Sequence, residues 1–79
     1  MIGIPEVVEA TADTRRRLSE KTDNELIKLL MSVDKSIREG FEHAIYFQEW
    51  SVGTDILRLR GYGCLSPRDI RTLAEERNL

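Results

Sequence analysis

Residues 23–50 read DNELIKLLMSVDKSIREGFEHAIYFQEW. Leu26, Leu29, Leu30, Val33, Ile37, Phe41, Ala44 and Phe47 recur at steps of three or four. At 100° per residue they hold a stripe roughly 120° wide, which is the period of an amphipathic helix. Thr22-Asp23-Asn24-Glu25 supplies the start. The Thr22 hydroxyl can accept from the Glu25 backbone N–H while the Glu25 carboxylate reaches back, a capping box. No proline interrupts the run, and Gly40 is its only poor helix former. The stretch predicts one long central helix from Asp23 to about Trp50, ~40 Å in length, with Phe41 and Phe47 in the core. A break near Glu39-Gly40 is the alternative.

The flanking sequence is also helical in its punctuation. Pro5 suits the first turn of a helix running to about Glu20, with Ile4, Val7, Val8 and Leu18 giving a partial apolar pattern and residues 1–4 expected to be loose. Asp13 can pair with Arg16 or Arg17 one turn away. Ser51-Val52-Gly53-Thr54 reads as a connection. Thr54 would cap a short helix over 55–60, and Gly61 would end it in the left-handed conformation. A hairpin with strands near 44–51 and 55–62 is the competing reading of the segment 44–62, because β-branched and aromatic residues are frequent there. Ser66 as N-cap, Pro67 at the first helical position and Asp69 near the positive end of the dipole predict a final helix over 66–78. Leu65 and Ile70 stand at hydrophobic-staple spacing around its start.

A chain of 79 residues makes one small domain, which buries a modest share of its surface. Its single cysteine, Cys64, forms no internal disulfide and lacks companions for a zinc site. Stability must then come from a packed helical core or from oligomerisation. A lone thiol, no evident leader in MIGIPEVVEA and no long apolar run suggest a cytoplasmic protein without a membrane segment. The formal net charge is −2, which does not point to a general nucleic-acid binder. Charge is uneven, however. Residues 1–55 carry 7 basic and 11 acidic groups, whereas residues 56–79 carry 5 and 3.

Four of the five aromatics, Phe41, Tyr46, Phe47 and Trp50, and the only histidine, His43, fall within residues 41–50. On a continuous helix, Glu39, His43, Tyr46 and Trp50 form a second line, more than 90° from the centre of the apolar stripe. Tyrosine and tryptophan combine apolar area with a polar tip and are enriched at interfaces. This line is the expected partner-binding surface, unless the chain's own C-terminal helix covers it. Chemistry is the weaker reading. Glu39 and His43 are four apart, whereas carboxylate-bridged metal sites in bundles use Glu-x-x-His pairs from two helices. Cys64, between a glycine turn and a helix start, reads as a small hydrophobe in a tight turn, although a helix N-terminus can activate a thiol. No catalytic residue, metal ligand or cofactor is assigned.

The segment DILRLRGYGCLSPRDIRTLAEERNL, residues 55–79, is similar in rhythm to the opening of winged-helix and helix-turn-helix regulators. Ile56, Leu57 and Leu59 precede a glycine turn, and Ser-Pro leads into a helix with Ile70 and Leu73. In those regulators a recognition helix follows and enters the major groove. The similarity stops before that helix, so no membership follows from it. It implies phosphate contacts from Arg58, Arg60, Arg68 and Arg71. Their other reading is solvated helix surface paired with Asp55, Asp69, Glu75 and Glu76.

The sequence therefore predicts an all-α domain, a bundle of three to four helices over residues 1–79. Its expected role is a non-enzymatic protein–protein interaction module: a small regulator, adaptor or inhibitor that occupies a site on a larger partner. A homodimer through the long helix is expected. The alternatives are a nucleic-acid-binding accessory factor and, last, a metal- or thiol-dependent enzyme.

Overall fold

The computed structural model describes residues 5–41 and 43–79, with side chains from residue 11 onward. The expected looseness of residues 1–4, the packing of Ile4, Val7 and Val8, and Glu42 lie outside the described residues. The chain is all-helical: α1 (Pro5–Ser19), α2 (Asp23–Arg38), α3 (Ala44–Leu57), a π-helical turn (Arg58–Tyr62) and α4 (Pro67–Glu76). In space the neighbours run α1, α3, α2, α4. Among the described residues no helix is long and apolar enough to cross a membrane.

The expected long helix over 23–50 is two helices. Its start is as read, with Thr22 and Glu25 forming the reciprocal capping box. Its end comes at Gly40, whose φ is +94°. The Gly40 N–H donates to the Ile37 carbonyl at 3.1 Å and the Phe41 N–H to the Ser36 carbonyl at 3.0 Å. This is a Schellman stop, with the glycine taking the left-handed position that a Cβ would strain. The chain turns, and α3 folds back along α2. The helical phase is therefore reset at Gly40. Leu26, Ile27, Leu30 and Val33 are buried, but Phe41 and Phe47, read as core, are 60% and 51% exposed.

The expected connection at residues 51–54 and the hairpin over 44–62 are both replaced by α3. Val52 and Gly53 are buried within it. The Thr54 hydroxyl does not cap a helix. It donates to the Trp50 carbonyl at 2.8 Å, holding the helix's own ladder. Gly53 is at the closest approach of α3 to α2: a Cβ built there would lie 2.9 Å from Leu30 Cδ2. The core comprises Leu18, Leu26, Ile27, Leu30, Val52, Ile56, Leu57, Ile70 and Ala74.

Among the described side chains, α1 meets α3 through polar ties as well as adding Leu18 to the core. The buried Thr14 hydroxyl donates to Gln48 Oε1 at 2.8 Å, and Gln48 Nε2 donates to Thr11 Oγ1 at 3.0 Å. Arg17 lies 3.6 Å from the nearly buried Glu49 carboxylate. These ties explain why the sequence of α1 shows so weak an apolar stripe. Asp13 pairs with Arg16 as its spacing suggests.

Beyond Leu57 the helix widens into the π-helical turn, where Gly61 adopts φ +103°. The turn sends Arg60 and Tyr62 to the α1–α2 junction. Arg60 donates to Asp23 Oδ1 at 2.7 Å and to the Ser19 and Lys21 carbonyls at 3.0 Å. The Tyr62 hydroxyl donates to Asp23 Oδ2 at 2.7 Å. Arg77, at the end of α4, donates to that hydroxyl at 2.6 Å and to Asn24 Oδ1 at 2.9 Å. Its guanidinium also sits 5.4 Å over the Tyr62 ring. One carboxylate thus ties together the start of α2, the π-helical turn and, through Tyr62, the end of α4. α4 starts as read, with Ser66 as N-cap and Pro67 first; Asp69, read only as a charge near the dipole, also closes a capping box with Ser66, and the helix seats Ile70 and Ala74 in the core.

Two measurements check this fold. Gly53→Val places methyls against Leu30 and should lower stability by about 2 kcal/mol in urea unfolding. The second is pH. The Tyr62 hydrogen bond, and then that of Arg60, hold the Asp23 carboxyl below its ordinary value. A depressed folded pKa means that this stabilisation is complete above about pH 4 and is lost as pH falls through the folded value. Tyr62 is held above its ordinary value by its bond to Asp23 and by burial. Its contribution is complete below about pH 10 and is lost as pH rises further. Asp23→Asn should therefore flatten the acid limb of the stability–pH curve, read from urea midpoints, relative to the unsubstituted chain.

A candidate interaction surface at the α2–α3 corner

The corner is built by two helix-end devices. The Gly40 stop carries Phe41 outward, and His43 then starts α3 as its N-cap, its Nδ1 accepting from the Ile45 N–H at 3.2 Å. The cap fixes the imidazole against Tyr46, edge to face, with centroids 6.1 Å apart. Gly40, Phe41, His43 and Tyr46 line an open groove of about 370 Å³. Along α3, the outward positions are Ala44, Phe47 and Ser51, all exposed.

The composition of α3 sets this surface apart. A third of the chain's residues are charged, yet residues 43–48, HAIYFQ, contain no acidic, lysine or arginine side chain. The first charge in α3 is Glu49, and it is turned inward. A helix surface without charge is ordinarily covered by a neighbour. α3 is flanked by α1 and α2, but its third side is open.

The structure separates the residues singled out as a partner-binding line. Glu39 is the C-cap of α2, exposed, and on a different helix from the other three. His43 and Tyr46 are brought into contact. Trp50 is half-buried and packs against the core. A single line of four on one helix face is therefore replaced by a corner. Phe41 joins that corner as part of the groove lining and Phe47 stands exposed on α3, whereas their helical phase in the sequence predicts both in the core. Two signals could have found them: Gly40 followed by a hydrophobic residue, the pattern of a Schellman stop, and the charge-free run that follows.

The arginines of the alternative reading are dispersed. Arg58 pairs with Asp55 at 2.7 Å, and Arg60 is committed to Asp23 and two carbonyls. Arg68 and Arg71 lie exposed on α4, with Arg71 Nε donating to the Pro67 carbonyl at 3.4 Å. Asp55 is bridged by Arg58 and by Arg15, and these two guanidiniums hold its carboxyl below the usual range. This trio lines a second cleft, about 450 Å³, beside the exposed Cys64. It is the larger of the two openings, but Asp55 already takes a hydrogen bond from each of its arginines. Among the described residues, no three His, Cys, Asp or Glu side chains are grouped as metal ligands.

No protein-family model matches the chain, and no curated protein or solved structure matches it.

The exposure of Phe47 has a direct test. Phe47→Ser should change the unfolding free energy by no more than about 1 kcal/mol, whereas Leu57→Ala, in the core, should cost about 2–5 kcal/mol. Thermal or urea unfolding of the two variants makes the comparison.

Proposed function

We propose that the protein is a non-enzymatic interaction module that docks other proteins at the α2–α3 corner. The observation that carries this reading is the charge-free start of α3, residues 43–48, where Phe47 stands exposed, with Phe41 exposed at the adjoining groove, on a highly charged protein. Exposed aromatics grouped beside a groove are the usual anchors of protein interfaces. His43 and Tyr46 add a polar rim with a fixed geometry, since the N-cap bond and the edge-to-face contact hold both rings in place before a partner arrives. A preorganised rim lowers the entropy cost of binding. The mode of action is occupancy: the corner covers a site on a larger protein and thereby regulates, adapts or inhibits it.

The accessory nucleic-acid reading rests on Arg58, Arg60, Arg68 and Arg71. Two of these are engaged in ion pairs within the chain, so the geometry favours the aromatic corner.

Selection from a displayed peptide library tests the docking site. Peptides with apolar anchors should be enriched, and both Phe47→Asp and Phe41→Asp should weaken their capture at least ~30-fold, the effect of losing an interface hot spot. Selected peptides that bind the two variants as well as the unsubstituted chain would show that the corner is not the docking site.

A further inference from the structure

We infer that α4 is a strap. It lifts from α2 as one unit, hinged at Gly63 and latched at its other end by Arg77, while the rest of the domain stays assembled.

The first reason is the placement of α4. In the row α1, α3, α2, α4 it is an end element, packed on α2. Its buried residues are Ile70 and Ala74, with Leu73 half-covered beside them. By contrast α3, between α1 and α2, buries Glu49, Val52, Gly53, Ile56 and Leu57. Local opening is easiest where few buried apolar contacts are lost, and α4 is that element.

The second reason is where the polar ties fall. Ser66 and Asp69 close the start of α4 by bonds within its own first turn, so lifting the helix breaks none of them. Gly63, just before, has φ +77° and open space where a Cβ would stand, and Cys64 after it is exposed. A glycine there lets the short link pivot. On the other side of the link, Arg60 and Tyr62 both donate to Asp23. Those bonds join the π-helical turn to the start of α2 and involve no residue of α4. The boundary between what stays and what moves therefore lies between Tyr62 and Ser66.

The latch is at the opposite end. Arg77 donates to the Tyr62 hydroxyl at 2.6 Å and to Asn24 Oδ1 at 2.9 Å, and its guanidinium covers the Tyr62 ring. A helix end without such a tie frays from its last residue inward. With Arg77 held on the body of the domain, Ile70 and Ala74 leave together. Lifting uncovers the side of α2 that α4 covers, a surface distinct from the α2–α3 corner.

Native-state hydrogen exchange of the full chain, followed amide by amide in low urea, reads the opening. The amides from Ile70 to Arg77 should share one opening and one urea dependence. They should exchange at least ~10-fold faster than those of Leu30 and Ile56. Thr14→Val cuts a tie between α1 and α3 that the lifted state keeps. It should speed exchange at Leu30 and Ile56 at least ~3-fold and leave α4 unchanged. Arg77→Gln cuts a tie that the lifted and the unfolded states both lack. It should speed exchange in α4, and at Leu30 and Ile56, by one common factor of at least ~3. Exchange in α4 that quickens gradually toward Arg77, with no urea dependence, is fraying and overturns the strap. So does α4 exchange that Thr14→Val accelerates as much as that of Leu30, because α4 then opens only with the whole domain. Exchange that Arg77→Gln leaves unchanged overturns the latch.

Discussion

The left-handed glycine at position 40 divides a run of apolar residues that would otherwise form one helix too long for the domain. Ending α2 at Gly40 lets α3 lie back along α2, so that Leu26, Ile27 and Leu30 find Val52, Ile56 and Leu57 within the same molecule. The crossing is close because Gly53 has no side chain where Leu30 approaches. Two glycines therefore do different work. The first supplies a backbone conformation and the second supplies space.

Once the two central helices are apposed, the outer elements add Leu18, Ile70 and Ala74 to the core and are oriented by polar groups. α1 is positioned on α3 through Thr14, Gln48 and Thr11, and α4 is held to the start of α2 through Asp23, Tyr62 and Arg77. Such networks stabilise modestly, because each bond replaces one to water, but they specify geometry, because donor and acceptor must meet within a narrow range of distance and angle. A domain of this size has few buried apolar residues to fix the relative placement of its helices. A carboxylate shared by Arg60 and Tyr62 from the π-helical turn defines where the chain passes. The π-helical geometry has a role in this: it reorients the last residues after Leu57, and Gly61 permits the turn that follows.

The same break that builds the core also makes the surface. On a continuous helix, Phe41 and Phe47 would have shared the phase of Leu30 and Val33. With the phase reset, they face outward at a corner whose rim, His43 and Tyr46, is held by a helix cap. The most apolar helix of the chain thus has one side without a neighbour. Folding and recognition draw on the same element, and Trp50, at the edge of the core, joins the two.

The sequence by itself determined the local features. The all-helical class, the capping box at Thr22, the N-cap at Ser66, Pro67 at the start of the last helix and the left-handed Gly61 were all legible, because each depends on residues within one turn of one another. Leu26, Leu30 and Val33 were legible as core for the same reason, whereas the fully buried Ile27 lay off the stripe and was not. The end of α2 was only half legible. Gly40 offered a break as an alternative, but local propensity for helix on both sides outweighed a single glycine until the return of α3 onto α2 was known. The continuity of α3 through Ser51-Val52-Gly53-Thr54 was not legible at all, since the glycine there is required by Leu30, a residue 23 positions earlier in the sequence. Nor could the sequence separate a core phenylalanine from an exposed one, or show that Arg60 answers Asp23. Those outcomes depend on which helices become neighbours, and that is decided by tertiary packing: periodicity defines a face, but only the neighbouring elements decide whether that face is enclosed.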